Sequence, residues 1–408
     1  MRMGRIAAAL ATAGLPAVGV GAGHDGLPVV LPASGYEARV PDDTLDLPRD
    51  KADELRRDAL ARALLWLEPK PDLDLRSNPR DPFGDAEQAI CKFHPLKMGG
   101  STAKFACVFA GGEVLKVKYG PNPEIHTEVA ATRLLHALGA GADWMYVLKR
   151  LRCFGCPENL EMMLSCISSP FKEFVAQCAP LYGEITATGE FKPRIDYSKY
   201  VHYETVAVER RLEGKEIEAE NKSGWGFDEL DKVQVSAREG TRAKRDALRL
   251  IAVFLNNWDN RADNQRLLCL AGGAQRADGG CPRPFAYMQD VGGTFGRVGG
   301  DKEQRKLDLA GWRAVPIWKD AATCRVKIES PPLHGSTFGE AVISERGRSY
   351  LAARLRRLTT EQIRDLFEGA RFAEYEAASG PERGVDDWVM AFQEKVRQIT
   401  TRKPCPTP

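Results

Sequence analysis

The sequence has almost no excess of charge of either sign, with 58 lysines and arginines against 56 acidic residues and a net charge of +2. Proteins that bind nucleic acid or anionic lipid through their surface charge carry clustered lysine and arginine. The composition therefore predicts neither a nucleic-acid-binding protein nor one anchored to a membrane by a polybasic segment.

Histidines, repeats and long apolar runs are also scarce. The chain has six histidines, and the spacing of His126, His136, His202 and His334 does not match that of metal ligands. The longest apolar stretch, from Ile6 to about Gly23, is rich in alanine and glycine and is too short to span a bilayer comfortably. No internal repeat is present. With 43% hydrophobic residues, 408 residues suffice for one large two-lobed domain or two ordinary ones.

The N-terminus has the layout of a secretory signal peptide. A basic segment, Met1 to Arg5, precedes the apolar run, and this order is typical of exported proteins. We assign residues 1–23 to a signal peptide and expect a secreted or periplasmic protein. The alternative is a disordered N-terminal extension on a cytoplasmic protein.

The ten cysteines are an even number, which fits an exported, disulfide-bonded protein. Cys153 and Cys156 form a C-x-x-C motif, but no second C-x-x-C follows to complete a typical zinc site. Disulfides, a structural zinc site and reduced thiols all remain interpretations of these residues. Cys269 and Cys281 flank a glycine-rich insertion that a disulfide between them would close.

The pattern along the chain divides it into six parts. Residues 24–50 are rich in proline, glycine and aspartate and read as an irregular linker. Residues 51–84 form an N-terminal helical extension that contains an amphipathic helix from Lys51 to Leu67. Two folded regions follow, residues 85–155 and 156–400, and residues 401–408 are a tail.

The first folded region begins with a predicted hairpin and helix. Two β-rich runs, 104–109 and 113–118, flank Gly111-Gly112 and predict a β-hairpin. Asn122-Pro123 then supplies an N-cap and a first-turn proline for a helix that extends to Gly139. Glu128 shares the apolar stripe of this helix, so its carboxylate needs a partner inside the protein.

The second region contains a buried helix, two short strands and a helical C-terminal part. Apolar residues from Leu248 to Leu255 follow a helical period that ends at Asn256-Asn257. Strands at 266–270 and 285–289, helices capped by Ser344 and Thr359, and a final helix that bears Trp388, Phe392, Val396 and Ile399 are also predicted here. A strand at 145–151 is predicted near the end of the first region.

The segment between the buried helix and the next strand carries the most informative motif. Asp259 and Asn264 are separated by four residues, and Asp290-Val291-Gly292 follows the second short strand. The first motif resembles the D-x-x-x-x-N catalytic loop of protein kinases, and the second resembles their Asp-Phe-Gly element. The chain is therefore similar to the protein-kinase-like superfamily, in particular to its atypical phosphatidylinositol-kinase-like and secreted-kinase branches.

This resemblance implies a fold and a reaction. The fold class is α+β, a two-lobed kinase-like fold with a small antiparallel N-lobe sheet, one key helix and a mainly helical C-lobe. The implied reaction is transfer of the ATP γ-phosphoryl group to a hydroxyl acceptor, with Asp259 orienting or deprotonating the hydroxyl. Asn264 and Asp290 would bind Mg²⁺ or Mn²⁺. The acceptor could be a protein, lipid, sugar or small-metabolite hydroxyl.

The resemblance also implies residues that bind the nucleotide. Lys116 would hold the α- and β-phosphates and pair with Glu128, with Lys118 as the alternative because it lies on the same strand face. Val114, also on that face, would lie against the adenine. The backbone that would cover the phosphates belongs to the segment formed by Gly99, Gly100, Ser101, Thr102 and Lys104.

Two other functions are compatible with the same motifs. The site could transfer the nucleotidyl (AMP) group instead of the phosphoryl group, with ATP bound in the reverse orientation. The chain could also be a non-catalytic, kinase-shaped binding or scaffold protein.

Overall fold

The computed structural model describes residues 27–32, 34–40, 43–79, 82–84, 86–100, 102–219, 224–234, 241–272, 276–296, 306–329, 335–379 and 384–406. For Thr241 and residues 376–379 only the backbone is described. The predicted signal peptide, residues 1–23, and the predicted phosphate-loop residue Ser101 lie outside these ranges.

The described part of the chain is an α+β protein. Its strands are β1 (Gln88–His94), β2 (Lys104–Val108), β3 (Val114–Lys118), β4 (Trp144–Phe154), β5 (Gly183–Ile185), β6 (Phe191–Pro193), β7 (Tyr200–Arg210), β8 (Gly214–Glu216), β9 (Gln265–Leu270), β10 (Pro284–Met288), β11 (Arg325–Lys327) and β12 (Glu340–Val342).

Its α-helices are α1 (Ala52–Arg62), α2 (Glu124–Leu138), α3 (Leu160–Ser168), α4 (Lys172–Tyr182), α5 (Thr241–Leu255), α6 (Leu309–Ala314), α7 (Glu345–Leu355), α8 (Thr360–Gly369), α9 (Phe372–Ser379) and α10 (Val385–Thr400). Short 3₁₀ helices are present at Arg49–Lys51, Phe227–Lys232 and Ala262–Asn264.

Five strands form a closed barrel in the order β1-β2-β3-β7-β4. Four of the pairings are antiparallel, and the parallel pairing of β1 with β4 closes the barrel. The interior is filled by large apolar side chains, among them Phe93, Phe105, Tyr146 and Leu151. The prediction of a small antiparallel sheet is therefore wrong in one respect, because the β1–β4 pairing is parallel.

The barrel also includes a strand from beyond the predicted lobe boundary at residue 155. Strand β7 pairs with β3 on one side and with β4 along ten registered positions on the other. Sequence reading missed this strand, and a boundary at 155 would cut the barrel. The barrel itself extends to Arg210, the last residue of β7.

A second sheet has the strand order β10-β9-β8 and is bordered by the N-terminal segment. Leu45 N–H donates to the Glu216 carbonyl at 2.7 Å beside β8, and Leu64 N–H donates to the Pro284 carbonyl at 2.8 Å beside β10. The part of the predicted linker around Leu45 is thus held against the folded protein.

The main core lies between this sheet and the helices. Helix α5 packs against α7, and α2 packs against β4 and α8. Buried aromatic residues join the C-terminal helices to α5: Phe254 contacts both Trp312 and Phe392 edge to face. The buried α5 predicted from sequence, the two strands after it and the helix that carries Phe392 are confirmed.

Local signals fix several element ends. Ser344 and Thr359 cap α7 and α8 as predicted, and Thr359 forms a capping box with Gln362. Helix α1 ends at Arg62 rather than at Leu67, because Ala63 already has extended backbone. Among the described residues, no helix is both long and apolar enough to cross a bilayer.

All ten cysteines lie in the described ranges and form five disulfides: Cys91–Cys107, Cys153–Cys156, Cys166–Cys178, Cys269–Cys281 and Cys324–Cys405. The predicted bridge between Cys269 and Cys281 is confirmed. No cysteine among these ten is free, so the pairing supports neither the zinc nor the reduced-thiol interpretation of Cys153 and Cys156.

A buried lysine in α10 gives a prediction on stability. Lys395 is 1% exposed, donates to the Val315 carbonyl at 2.7 Å and lies over the Trp312 ring. Burial lowers the pKa of Lys395 to about 7, against the smaller opposing effect of Glu394. The unfolded chain therefore binds more protons at this lysine than the folded protein between pH 7 and its ordinary pKa, and stability rises with pH in that window.

We expect Lys395→Met to raise the free energy of unfolding at pH 6 by about 1 to 3 kcal/mol, because it removes a buried charge while keeping the aliphatic stem. The gain should shrink as pH rises towards 10. Urea unfolding of both proteins at pH 6, 8 and 9.5 measures this difference. A constant difference across the series would contradict the lowered pKa of Lys395.

Candidate active site

A buried lysine of the barrel is the centre of the candidate site. Lys118, the last residue of β3, has a side chain that is 0% exposed. Its Nζ lies 2.6 Å from Glu128 Oε2 and donates to Glu124 Oε2 at 3.0 Å. Burial alone would lower the pKa of Lys118, but Glu128, Glu124 and Asp290 together raise it well above its ordinary value. The lysine therefore stays charged inside the protein.

The two glutamates reach Lys118 because of how α2 begins. Glu124 N–H donates to Asn122 Oδ1 at 3.0 Å, which satisfies a free donor at the helix start. Glu124 and Glu128 are then four residues apart and lie on the same helix face, towards β3. Gly139, with φ of +83°, ends the helix where the sequence predicted it.

The predicted ion pair between Lys116 and Glu128 is wrong. Lys116 is paired across the sheet with Glu209 of β7, and its Nζ lies 2.5 Å from Glu209 Oε1. Lys118 is two residues further along β3, at the end of the strand that faces α2. The alternative named from sequence, Lys118, is the partner of Glu128.

Asp290 lies beside the same ion pair. Its carboxylate accepts a hydrogen bond from Gly292 N–H at 3.2 Å and lies near the carboxyl group of Glu128. Burial raises the pKa of Asp290, but Lys118 and Lys116 lower it more, so the net shift is downward.

The predicted catalytic loop is hydrogen-bonded to the Asp290 segment. The Asn264 carbonyl accepts from Asp290 N–H at 3.0 Å, and the Gly293 carbonyl accepts from Trp258 N–H at 3.2 Å. A Cβ at Gly293 would lie 3.1 Å from Asp259 Cβ, so the two segments are in close contact. Asp259, Asn264 and Asp290 therefore come together on two adjacent backbone segments.

The residue after Asp259 anchors the loop to the region before β12. Asn260 is buried, and its Oδ1 accepts from Ser336 Oγ at 2.9 Å, Thr337 N–H at 3.0 Å and Phe338 N–H at 2.8 Å. Asp259 itself keeps 27% of its side chain exposed and accepts from Arg261 Nε at 2.9 Å. A fixed backbone with a partly exposed carboxylate suits a group that must meet a substrate from solvent.

Two of the predicted ligands, Asp290 and Asn264, carry oxygen donors of the kind that a hard divalent cation needs. Asp290 offers carboxylate oxygens, and Glu128 lies near it. Asn264 Nδ2 donates to the Asp259 carbonyl at 2.7 Å, so the amide oxygen is the atom that remains as a ligand. Mg²⁺ and Mn²⁺ prefer such oxygen ligands.

The predicted glycine segment is tied to α2 through Thr102, whose Oγ1 donates to Glu124 Oε1 at 2.7 Å. Gly100 has φ of +82°, and a Cβ there would lie 2.7 Å from Lys104 Nζ. Burial lowers the pKa of Lys104, and the nearby Lys118 and Lys116 lower it further. Gly99 precedes this turn, and Ser101 is outside the described residues.

A cavity of about 890 Å³ adjoins Lys116. Barrel residues Ala106, Val114 and Lys116 line one side, and Leu268 and Tyr287 of the second sheet line another. The segment 209–216 that joins the barrel to β8 forms part of its wall. Val114, predicted to lie against the adenine, is among the residues that line this cavity.

A cluster of buried polar residues lies beside the Lys116–Glu209 pair and was not predicted from the sequence. Glu209 accepts from Gln289 Nε2 at 2.9 Å, and Gln289 Nε2 also donates to Asp143 Oδ2 at 3.0 Å. Tyr287 OH donates to Asp143 Oδ1 at 2.8 Å. Burial, with the nearby Glu209, raises the pKa of Asp143 to about 6. Glu209 is on β7 and Asp143 precedes β4, whereas Tyr287 and Gln289 are on and just after β10, so the group joins segments far apart in sequence.

Two further charged residues were not singled out from sequence. Glu124 lies on the same helix stripe as Glu128, and its position at the start of the helix was the available signal. Lys306 donates to Glu124 Oε1 and, at 3.4 Å, to Thr102 Oγ1. No local pattern around Lys306 points to the site.

No protein-family model matches the chain, and no curated protein matches it. Among solved structures, the chain is similar to one described as the crystal structure of the Golgi casein kinase with Mn/ADP bound. The sequence identity is 12% and the TM-score is 0.31, over 88% of this chain and 77% of that one.

The ion-pair geometry predicts different effects for the two lysines of β3. Lys118→Met should lower the free energy of unfolding by about 3 to 5 kcal/mol, because it leaves Glu124 and Glu128 buried beside each other without their shared cation. Lys116→Met should cost about 1 to 2 kcal/mol, since Glu209 keeps the hydrogen bond from Gln289. Chemical denaturation at pH 7 measures both.

The double variant Lys118→Met/Glu128→Gln is the control. It should recover part of the free energy of unfolding that Lys118→Met loses, because the unpaired carboxylate is removed together with the ammonium. A larger cost for Lys116→Met than for Lys118→Met would contradict the assignment of Lys118 as the central cation.

Proposed function

We propose that this chain is a metal-dependent phosphotransferase of the protein-kinase-like type, which transfers the γ-phosphoryl group of ATP to a hydroxyl acceptor. The observation that carries the proposal is the buried Lys118–Glu128 ion pair near Asp290, which is hydrogen-bonded through its backbone to Asn264. A cation for phosphates, oxygen ligands for a metal and a carboxylate for the acceptor are the groups that this chemistry needs.

Lys118, in place of Lys116, holds the α- and β-phosphates. It is charged and buried, and it is oriented by Glu128 from one side. An oriented ammonium in a site of low dielectric binds phosphate oxygens more strongly than a mobile one in water. Lys116 is paired with Glu209 instead, and both residues line the cavity that we propose holds the nucleotide base.

Asp290 and Asn264 hold the metal ion. A bound Mg²⁺ or Mn²⁺ neutralises charge on the phosphates. The chain's own contribution is to keep Asp290 ionised, since Lys118 and Lys116 lower the pKa of Asp290 despite its burial. The Asn264 amide is fixed by its donor bond to the Asp259 carbonyl.

Asp259 orients or deprotonates the acceptor hydroxyl. The loop around it is fixed by Asn260 and by the contact with Gly293, while its carboxylate stays partly open to solvent. Arg261 holds one carboxylate oxygen, which leaves the other for the hydroxyl proton. Positioning of this kind accounts for much of the rate of phosphoryl transfer.

The nucleotide base occupies the cavity between the barrel and the second sheet, with Val114 against the base. The barrel, from about residue 86 to Arg210, acts as the N-lobe, and the largely helical remainder acts as the C-lobe. Thr102 and Lys104, with the adjoining glycines, cover the phosphates.

Five disulfides favour an oxidising compartment, so we also propose that the protein is exported.

A binding experiment tests the metal and nucleotide site. Mg·ATP at one hundred times its dissociation constant should stabilise the wild-type protein by about 2.7 kcal/mol, measured as a rise in the thermal midpoint. Asp290→Asn should abolish most of this rise, because it removes a charged ligand while keeping the size of the side chain. Asp290→Ala serves as a second variant.

Asp196→Asn is the matched control, because Asp196 is an exposed carboxylate in the turn before β7. It should leave the nucleotide-dependent rise unchanged. Equal rises in the wild-type protein and in Asp290→Asn would count against the proposed site, as would the absence of any rise in the wild-type protein.

Transfer itself is tested with γ-labelled and α-labelled ATP, Mn²⁺ or Mg²⁺, and an extract of the source cells. We expect label only from γ-labelled ATP, and Asp259→Asn should reduce transfer by about 10² to 10⁴-fold. Label from α-labelled ATP would identify nucleotidyl transfer instead. Binding of Mg·ATP without transfer of either label would favour the non-catalytic alternative.

A further inference from the structure

Glu124 joins two lysines that come from distant parts of the chain. Its Oε2 accepts from Lys118 Nζ at 3.0 Å, and its Oε1 accepts from Lys306 Nζ. Lys306 is 4% exposed and lies sixteen residues after Asp290. Both lysines are therefore buried cations whose ammonium groups lie on the two oxygens of one carboxylate.

The same carboxylate contacts two further segments of the proposed nucleotide site. Thr102 Oγ1, in the segment proposed to cover the phosphates, donates to Glu124 Oε1 at 2.7 Å. A Cβ at Gly292 would lie 2.7 Å from Glu124 Cγ, so only glycine lets the Asp-Val-Gly turn approach this side chain. Glu124 is thus surrounded by the groups that would surround a phosphate: two ammonium groups and a hydroxyl.

Lys118 does not need Glu124 as its counter-charge. Lys118 already has Glu128 at 2.6 Å, and a single carboxylate neutralises one ammonium. Burial raises the pKa of Glu124, but Lys118 and Lys306 lower it to about 2 against that effect and against Asp290. The carboxylate is therefore charged at any physiological pH, and its charge offsets that of a local group of lysines that includes Lys104.

Resting on the proposed phosphotransferase function, we propose that Lys306 is a second phosphate-binding cation, and that the Glu124 carboxylate occupies the phosphate position while no nucleotide is bound. A phosphate chain offers oxygen acceptors of the same charge sign as Glu124, and it can accept from Lys118, Lys306 and Thr102. Binding of the nucleotide then exchanges one set of charge-assisted hydrogen bonds for another.

This exchange has a consequence for affinity. A ligand that must first displace an internal group binds more weakly than its own contacts would allow, by the fraction of molecules in which the site is open. In return, the lysines are never left buried without a counter-charge, which would destabilise the protein. A triphosphate is long enough to reach both lysines, whereas a single phosphate can replace only part of the contacts of Glu124.

The test is isothermal titration calorimetry of Mg·ATP, and separately of inorganic tripolyphosphate, on the wild-type full chain and on three variants: Glu124→Gln, Lys306→Met and the double variant. Glu124→Gln keeps the size of the side chain and an acceptor for Thr102, but it removes the competing charge. We expect it to bind both ligands about tenfold more tightly than the wild-type protein.

Lys306→Met should weaken binding of both ligands, because one phosphate contact is lost. The loss should be larger when Lys306→Met is introduced into Glu124→Gln than into the wild-type protein, since in that background Lys306 no longer has to leave Glu124. Tripolyphosphate should show the same order of affinities as ATP, because the effect is at the phosphates and not at the base.

Glu340→Gln is the control, because it breaks a surface ion pair with Lys319 and should change neither affinity. Unchanged or weaker binding by a folded Glu124→Gln, with normal binding by the wild-type protein, would overturn this inference alone. If Glu124→Gln does not fold, Lys306→Met is compared with the wild-type protein instead. An unchanged affinity of Lys306→Met for both ligands would then overturn the inference. Failure of the wild-type protein to bind either ligand would overturn the proposed function as well.

Discussion

The burial of one ammonium group at the end of β3 determines most of the site. Lys118 has no exposed surface and stays charged, so the fold has to bring carboxylates to it. Helix α2 does so with Glu124 and Glu128 from one face, and the turn after β10 adds Asp290. The barrel, the helix and the second sheet are therefore held in one arrangement by a single group of charges in an interior of low dielectric.

The loop that contains Asp259 is fixed by hydrogen bonds between neutral groups rather than by ion pairs. Asn260 uses its side-chain oxygen to bind three donors from residues 336–338, and Asn264 uses its main-chain carbonyl to bind the Asp290 segment. Both contacts are made by neutral groups, so they do not depend on pH or salt as ion pairs do. The charged part of the site is thus attached to a neutral frame, which keeps Asp259 in place while leaving its carboxylate accessible.

Features that depend on short stretches of sequence could be predicted, and those that depend on distant pairing could not. The β2–β3 hairpin, the start of α2 at Asn122-Pro123 and its end at Gly139 follow from turn, capping and glycine signals within a few residues. The choice between Lys116 and Lys118 did not, because both point to the same side of β3 and only the partner strand β7 distinguishes them. Lys306 and the parallel closure of the barrel by β1 and β4 likewise depend on chain segments far apart in sequence.

The N-terminal segment protects the second sheet from intermolecular pairing. In the barrel every strand has two neighbours, but β8 and β10 are the outer strands of their sheet and would present unpaired backbone groups. Residues on either side of α1 cover them, Leu45 beside β8 and Leu64 beside β10. A chain shortened beyond Leu64 would expose both rows of donors and acceptors, and its expected failure is self-association through the bare strands rather than loss of the charged site.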